Sequence, residues 1–219
     1  MNEKSQMILK ELAALYPDAK PALKYTTPYE LLVAVILSAQ CTDERVNKVT
    51  EVLFNEHNTP EKMLTLSQDE LEKYIFSCGF YHNKAAHILS ASRDILERYG
   101  GAVPDTLEEL KTLAGVGQKT ANVVYAVAFG GDAIAVDTHV FRVSNRLGLA
   151  QGKTPAKVEE GLCAVLPKSE WSKAHHYLIY HGRRVCHSQR PDCANCTLKT
   201  LCDYYKWRDT AHKNLKSNI

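Results

Sequence analysis

The chain lacks the features of a protein that enters or crosses a membrane. Its 219 residues contain no long apolar run, and the most apolar stretch, residues 31–37, is far too short to span a bilayer. Residues 1–6 do not show a positively charged segment followed by an apolar one, which is the pattern of a secretory signal. With 45% hydrophobic residues and a mean hydropathy of −0.29, the composition predicts a globular protein inside the cell.

The chain also lacks a large charge of either sign and a disulfide pattern. Its 27 basic and 25 acidic residues leave a net charge of +2, which does not require a nucleic-acid partner but permits one where basic residues cluster. Seven cysteines in a reducing compartment argue against a disulfide framework. Cys41, Cys78 and Cys163 stand singly among apolar residues, so we expect them to be small buried side chains.

Strands and internal repeats are missing as well. No stretch alternates convincingly between apolar and polar residues, whereas helical spacing recurs along the chain. One predicted helix, residues 28–39, is apolar on nearly all sides and should lie at the centre of the core. The fold class is therefore all-α, with Gly130 and Gly131 as the best candidate linker between two lobes. Residues 206–219 lose helical periodicity and are expected to form an irregular tail.

Four cysteines lie close together near the C-terminus: Cys186, Cys193, Cys196 and Cys202. Their spacing, C-x6-C-x2-C-x5-C, lets four thiolates surround one metal centre. Iron–sulfur clusters and structural zinc sites both use four cysteines, but zinc sites often have two C-x2-C pairs and this segment has one. The spacing therefore favours an iron–sulfur cluster, with zinc and unligated thiols as the alternatives.

A glycine hairpin lies between two predicted helices at residues 113–120, Leu-Ala-Gly-Val-Gly-Gln-Lys-Thr. Gly115 and Gly117 permit positive φ and close approach of the backbone, and the free amides of a helix starting near Gln118 would suit a phosphate. A P-loop would have Lys119 directly after the second glycine, and both it and a dinucleotide-binding loop would follow a strand. We therefore favour a helix–hairpin–helix that binds DNA backbone, with an ordinary turn as the alternative.

Lys119 is the candidate nucleophile. A lysine in the first turn of a helix lies at the positive end of the helix dipole, and partial burial there would favour the uncharged amine, which is able to attack. Asp137 follows shortly after that helix. It is expected to cap the next helix, at residues 138–147, and its functional role would be a carboxylate that deprotonates the nucleophile or supports a cationic sugar.

Three basic side chains are candidate DNA contacts. His139 and Arg142 lie one turn apart on the predicted helix at residues 138–147, although a lone histidine more often has a structural hydrogen bond. Arg190 lies in the loop between Cys186 and Cys193, which a metal would stiffen. It would then contact a phosphate; the alternative is a solvated charge.

Taken together, these motifs resemble the endonuclease III family of helix–hairpin–helix DNA glycosylases. The resemblance rests on residues 113–121 and 136–139, on the four cysteines, and on two further signature segments at residues 38–43 and 79–85. The matches occur in the family's order through almost the whole chain. The resemblance implies two helical lobes with a DNA cleft between them. One is a six-helix barrel carrying the hairpin, residues 21–131, and the other an iron–sulfur cluster domain made of residues 1–20 and 132–219.

The resemblance also implies an activity. It is the excision of oxidised pyrimidines from duplex DNA, followed by cleavage 3′ to the abasic site by β-elimination, so the enzyme would be both a DNA N-glycosylase and an AP lyase. The four cysteines would hold a structural [4Fe–4S] cluster. The partner would be double-stranded DNA with damaged pyrimidines or abasic sites. We expect a monomer that acts in the cytoplasm, at the nucleoid if the source is prokaryotic, without contact to a membrane.

Residue roles follow from the same resemblance. Lys119 would attack C1′ of the sugar and form a Schiff base, Asp137 would be the essential carboxylate, and Gln40 would fill the gap left by the flipped nucleotide. Other DNA contacts are expected at Phe80, Gly115, Val116, Gly117, Thr120, His139, Arg142 and Arg190.

The chain departs from the family pattern at three positions near these residues. Ala114 stands where proline is common, so the hairpin is expected to be less stiff. Cys41 replaces the usual threonine after Gln40, and Phe80 replaces a common leucine, which would alter wedging into the duplex.

There are two rival interpretations: the presence of Lys119 disfavours the first, and absorption at about 400 nm would distinguish the second. An adenine-mismatch glycosylase of the same superfamily shares the hairpin and the cluster, but it lacks the hairpin lysine and has an additional C-terminal domain. A non-catalytic DNA-binding protein stapled by zinc would be colourless, whereas an iron–sulfur protein is brown.

Overall fold

The computed structural model describes residues 2–216, with side chains described as far as residue 210. This part of the chain contains helices and no strand, so the predicted all-α class is confirmed. The α-helices are α1 Glu3–Leu15, α2 Pro28–Ser38, α3 Asp43–Glu56, α4 Pro60–Met63, α5 Gln68–Ile75, α6 Tyr81–Tyr99, α7 Leu107–Leu110, α8 Gln118–Ala128, α9 Thr138–Leu147, α10 Pro155–Val165, α11 Trp171–Arg184 and α12 Asp203–Lys216. Two short 3₁₀ helices lie at Phe76–Cys78 and Lys168–Glu170.

Helix starts follow from capping residues that the sequence displays. Ser67 caps α5 and the side chain of Glu70 returns to the Ser67 backbone, which completes a reciprocal capping box. Thr106 caps α7 in a similar way. Thr27 caps α2 through its side chain. Here the carboxylate of Glu30 accepts a hydrogen bond from the Thr26 amide and not from the amide of the cap residue. Such caps each contribute about 1 kcal/mol to helix stability, and they position the boundaries where the sequence predicted them.

The chain divides into two compact units. The central unit is Pro21–Gly131, and the terminal unit combines Met1–Lys20 with Asp132–Ile219. The core of the central unit surrounds α2, whose residues 29–37 are all buried. Helices α3, α6 and α8 pack against it. The prediction that this apolar helix lies at the centre of a core is confirmed.

The terminal unit is built around α9, which packs against α10, α11 and α12. The apolar segment at residues 133–136 leads into α9 as buried extended chain. Residues of α1, including Ile8 and Leu12, are buried in the same core. No described helix is long and apolar enough to cross a membrane.

The expected irregular tail is wrong for residues 206–216, which belong to α12. Its first turn has aromatic residues that the periodicity argument did not weigh. Tyr204 and Tyr205 pack against the core of the terminal unit, and the guanidinium of Arg208 lies 5.6 Å from the centre of the Tyr204 ring. Packing of the first turn against the core stabilises the start of a helix that periodicity alone does not predict. Residues 217–219 of the predicted tail lie outside the described part of the chain.

Candidate active site and candidate metal centre

The glycine hairpin is a tight turn between α7 and α8. Leu113 and Val116 are both buried, and the Val116 amide donates to the Leu113 carbonyl at 3.1 Å. Gly115 has φ +77°, and a Cβ atom there would lie 2.9 Å from the Cβ of His87. Glycine is therefore required at this position by both conformation and space. Because the side chain and the amide of Val116 are both engaged within the unit, its place in the candidate site is structural.

The second hairpin glycine has a different role from the one expected. Gly117 is the N-cap of α8 with φ −87°, so the expectation of positive φ there is wrong. No atom lies within 4 Å of the position that a Cβ would occupy, and no side chain caps the first turn of α8. The start of α8 therefore combines open space with the positive end of a helix dipole, which favours an anion.

Lys119 is the second residue of α8 and is exposed. Lys119 thus lacks the partial burial under which an uncharged amine would be favoured. Its position in the first turn is as predicted, and Thr120 follows it in the same turn. The arrangement presents a primary amine beside the anion-favouring start of α8.

Asp137 is the N-cap of α9, as predicted. Its Oδ1 atom accepts from the amides of His139 and Val140, both at 2.8 Å. One carboxylate oxygen thus makes both capping bonds, and the side chain is half-buried. Capping fixes the orientation of the carboxylate, and Oδ2 makes neither of the capping bonds. The structural and the functional interpretation of Asp137 are therefore compatible.

The structure gives His139 and Arg142 internal roles. The guanidinium of Arg142 donates to the carbonyls of Cys186 at 3.0 Å and Gly182 at 2.9 Å, and it lies 3.1 Å from Nδ1 of His139. Burial lowers the pKa of His139, so its ring is neutral at physiological pH and accepts from the arginine. This pair joins α9 to α11 and to the start of the cysteine loop.

The four C-terminal cysteines line one pocket. Its wall also includes Leu147, His181 and Tyr204. Among the described residues, no three His, Cys, Asp or Glu side chains form a group able to hold a single metal ion. Four thiolates converging on one pocket are the donor set that iron–sulfur clusters use. The residues present therefore fit a [4Fe–4S] cluster.

Hydrogen-bond donors surround the cysteine sulfurs. Nη1 of Arg146 lies 3.4 Å from Cys186 Sγ, Nη1 of Arg208 lies 3.6 Å from Cys193 Sγ, and Nε2 of His181 lies 3.7 Å from Cys196 Sγ. Backbone amides of residues 204 and 205 donate to Cys202. Donors of this kind stabilise thiolate ligands and orient them.

His181 also joins this centre to α1. Burial lowers its pKa to about 4, and the Tyr16 hydroxyl lies 3.0 Å from its Nδ1. With the hydroxyl donating to Nδ1, the remaining ring proton is on Nε2 and faces Cys196. Arg146, Arg208 and His181 were missed by the sequence analysis. The only local signal was the spacing of Arg146, one turn beyond Arg142 on the same face of α9.

Positive φ angles at non-glycine residues mark three of the predicted DNA contacts. Among the described residues they occur at Gln40 (φ 53°), Phe80 (φ 50°) and Arg190 (φ 48°). All three side chains are exposed. The left-handed region costs a residue with a side chain about 1–2 kcal/mol, so surrounding contacts must maintain it. Strain of this kind concentrates at functional positions.

For Arg190 the surrounding contacts come from α9. Arg146 donates to the carbonyl of His187 at 2.6 Å and to that of Ser188 at 3.0 Å. The Asp192 amide closes the loop by donating to the Val185 carbonyl at 3.0 Å. The loop is thus fixed on both sides of Arg190, and the arginine side chain points from its outer edge.

For Gln40 and Phe80 the surrounding contacts come from Lys84, whose role was also missed from the sequence. Lys84 is 5% exposed. Its Nζ donates to the carbonyls of Leu37 at 2.8 Å and Ala39 at 2.7 Å, beside Gln40, and of Cys78 at 2.5 Å, beside Phe80. Hydrogen bonds from a charged group contribute about 1.5–3 kcal/mol each, which outweighs the strain of the two turns.

The remaining cysteines behave largely as expected. Cys78 is buried, and Cys41 and Cys163 are half-buried. Burial raises the pKa of Cys78 to about 12 and raises that of Cys163. Both thiols are therefore protonated at neutral pH and unreactive.

Comparison with known proteins gives consistent matches. The family model of the HhH-GPD superfamily base excision DNA repair proteins matches residues 33–168. Endonuclease III of Haemophilus influenzae is 49% identical over 197 residues, which cover 90% of this chain and 93% of the relative. Endonuclease III of Bacillus subtilis is 48% identical over 205 residues, covering 93% and 94%.

Two solved structures of DNA complexes are similar over nearly the whole chain. A trapped covalent intermediate of endonuclease III with DNA has a TM-score of 0.89 and 47% identity, covering 95% of this chain and 99% of that one. A non-covalent complex of endonuclease III with DNA has a TM-score of 0.89 and 46% identity, covering 96% and 100%.

Proposed function

We propose residue roles from the premise that this chain belongs to the endonuclease III family, within the HhH-GPD superfamily of base excision DNA repair proteins. It is a DNA N-glycosylase and AP lyase that acts on oxidised pyrimidines. Its cofactor is a [4Fe–4S] cluster, which Cys186, Cys193, Cys196 and Cys202 would hold. When bound, the cluster would supply a fixed frame for the loop that contains Arg190, and no reaction step is assigned to it.

Lys119 is the proposed nucleophile. Its Nζ attacks C1′ of the damaged nucleotide, so that an N–C1′ bond forms while the bond from C1′ to the base breaks and the base leaves with the electron pair and takes up a proton. The sugar ring opens and the lysine forms an imine with C1′. Loss of a proton from C2′ then expels the 3′ phosphate. The observation that carries this assignment is an exposed amine in the first turn of the hairpin helix.

Asp137 is proposed as the carboxylate that supports this chemistry. It would accept a proton from the lysine ammonium or stabilise positive charge on the sugar, in either case through Oδ2, since Oδ1 makes the capping bonds. A carboxylate held by two amides does not need to be reoriented during the reaction, which favours catalysis.

The Asp137→Asn variant is expected to fold normally and to lose most of its activity. Asparagine caps helices about as well as aspartate, so the free energy of unfolding should change by less than about 0.5 kcal/mol. Single-turnover excision of thymine glycol from a duplex should fall by roughly 10²–10⁴-fold because the charge is lost. Asp137→Ser, which also caps, should lose activity to the same degree. Full activity in either variant would show that the carboxylate of Asp137 has no role in the reaction.

The same assay tests the proposed activity as a whole. The wild-type protein is incubated with a duplex that carries one thymine glycol and, separately, with a duplex that carries one abasic site. Strand cleavage 3′ to the lesion is expected on both, and an undamaged duplex should remain intact. Cleavage of the abasic duplex without release of the damaged base would show that the protein is a lyase and not a glycosylase.

The DNA backbone is proposed to contact the start of α8, at Gly115, Gly117 and Thr120, and also Arg190. The first turn of α8 has no side-chain cap and adjoins open space at Gly117, as a phosphate site requires. Gln40 and Phe80 are proposed to enter the duplex, where an exposed amide and an exposed aromatic ring fill the gap left by the flipped base. For His139, Arg142 and Val116, the contacts described above support structural roles instead.

Substitutions of the two hairpin glycines are expected to have different effects, one on DNA binding and the other on stability. Gly117→Val should leave the free energy of unfolding within about 0.5 kcal/mol of the wild type, because φ −87° suits valine and the space is open. Its affinity for any duplex, damaged or not, should fall by about tenfold because the branched side chain keeps phosphate away from the amides. Gly115→Ala should instead lower stability, through positive φ and the contact with His87. Normal duplex affinity of Gly117→Val would place the phosphate site elsewhere.

The type of DNA that is bound, the oligomeric state, the cellular location and the domain assignment are also proposals. Double-stranded DNA with damaged pyrimidines or abasic sites is the proposed partner, supported by the DNA complexes of the similar structures. The protein is further proposed to act as a monomer in the cytoplasm, at the nucleoid; the relatives described above are bacterial. The central unit is proposed as the six-helix barrel domain, and the terminal unit as the cluster domain.

A further inference from the structure

The starting observation is a buried lysine at a position where the sequence pattern calls for an apolar residue. Lys84 is in register with Ile88, Ala91 and Ile95 on α6, all of which are buried. Its side chain is 5% exposed, although removing an ammonium from water is costly unless every N–H group has an acceptor. Lys84 meets that condition, since its three acceptors are the carbonyls of Leu37, Ala39 and Cys78.

Two of these carbonyls belong to the end of α2. The last carbonyls of a helix have no partner within the helix. Here Ser38 Oγ donates to the Val35 carbonyl, and Lys84 donates to those of Leu37 and Ala39. A cation at a helix C-terminus also interacts favourably with the dipole. The ammonium thus determines how the chain leaves α2, one residue before the strained Gln40.

The third carbonyl belongs to the end of the 3₁₀ helix Phe76–Cys78. The chain then continues through Gly79 to Phe80, whose backbone is also left-handed. A Cβ on Gly79 would lie 3.9 Å from the Gln40 carbonyl oxygen, so the two turns are in contact. The Lys84 amide in turn donates to the Phe80 carbonyl at 3.1 Å. One residue therefore holds both turns, through its backbone and its side chain.

We infer that Lys84 is a positioning residue, which fixes the Gln40 turn and the Phe80 turn to each other so that both side chains enter the duplex together when a damaged base is extruded. The inference rests on the proposed function of Gln40 and Phe80. Lys84 touches neither substrate nor the reacting atoms. Its effect should therefore be confined to the opening of the base pair, before the chemistry at Lys119.

The test compares two substrates. Lys84→Met keeps the length of the side chain but cannot donate to the three carbonyls. Single-turnover excision of thymine glycol paired in a duplex should fall about tenfold more than cleavage of a pre-formed abasic site, because misplacement matters most where a base must be extruded. Lys84→Arg keeps the charge and enough donors, so it should recover most of this loss. Lys48→Met, which removes an exposed lysine from α3 of the same unit, is the matched control.

A second measurement, independent of activity, reports on the structure of the bound duplex. With 2-aminopurine opposite the lesion, the wild-type protein should change the fluorescence as the gap is filled, and Lys84→Met should reduce that change at saturating protein. An equal loss on both substrates with an unaltered fluorescence change would mean that Lys84 serves only the fold. Failure of both Lys84 variants to fold would mean the same and would overturn the inference.

Comparison variants distinguish this inference from the proposed function. Gln40→Ala and Phe80→Ala should each show the same selective loss on the paired lesion. If they do and Lys84→Met behaves as the wild type, the inference about Lys84 is wrong while the roles of Gln40 and Phe80 stand. If neither Gln40→Ala nor Phe80→Ala is selective, the proposed function of these two side chains is wrong.

Discussion

Lys119→Gln should abolish covalent trapping of the protein on DNA. Borohydride reduces an imine to a stable amine, so the wild-type protein incubated with an abasic duplex and borohydride should be joined to the DNA. Glutamine has a side chain of similar size and polarity but cannot form an imine. Because Lys119 is exposed, the substitution removes no buried contact, and the free energy of unfolding should stay within about 0.5 kcal/mol of the wild type. Duplex binding should persist, since the uncapped start of α8 is unchanged.

Lys111→Gln is the matched control for this experiment. Lys111 is also exposed and lies just before the hairpin, at the C-cap of α7, so it reports any general effect of removing a positive charge there. It should trap like the wild type. A Lys119→Gln protein that still forms the reduced conjugate, or that nicks an abasic duplex at the normal rate, would show that another amine is the nucleophile.

Cys202→Ala should cost the protein its cluster and much of the stability of the terminal unit. Ligation energy of a metal centre is also folding energy, about 10–16 kcal/mol for structural zinc in small peptides, whereas the whole stability of a typical protein is about 5–15 kcal/mol. Loss of one ligand of four should therefore remove the brown colour and most of the iron. The variant should unfold at lower denaturant concentration and tend to aggregate.

Cys163→Ala provides the comparison within the same unit. Cys163 lies on α10, half-buried and away from the pocket that the four cysteines line. Its replacement removes a similar thiol without removing a ligand, so colour and iron content should be retained. Stoichiometric zinc without iron in the freshly purified wild-type protein would contradict the cluster assignment. So would a Cys202→Ala protein with full iron content.

What could be predicted from the sequence was determined locally. Helix α9 has its predicted bounds because Asp137 caps one end and Gly148, with φ 72°, closes the other. The central position of α2 follows from an apolar surface on all sides. The anion-favouring start of α8 follows from a hairpin whose signature lies within a few residues.

What could not be predicted depends on contacts between distant residues. Lys84 donates to a carbonyl 47 positions away in the chain, and Arg146 reaches Cys186 across 40 positions. Neither contact leaves a pattern in its own segment beyond a charged residue in an unexpected register. The exposure of Lys119 could not be predicted for a related reason, since its position in the sequence identifies a helix end but not what covers it.

The left-handed backbone of Gln40 and Phe80 also depends on contacts between distant residues. Neither residue is of a type that favours positive φ, and the contacts of Lys84 explain why both conformations persist. Positive φ at Gly117 was inferred from residue type alone, and the structure shows extended backbone there. Glycine at this position leaves room for a ligand instead of permitting an unusual angle.

The proposed double role of Asp137, as helix cap and as catalytic carboxylate, narrows the choice of amino acids at that position. A helix cap accepts serine, threonine, asparagine or aspartate, and a negative charge is supplied by aspartate or glutamate. Glutamate is too long to bond the amides of His139 and Val140 from its own backbone position, as Oδ1 of Asp137 does. Aspartate alone belongs to both sets. Either requirement alone would allow other residues at this position. Because only aspartate meets both, a substitution there removes the helix cap, the negative charge or both.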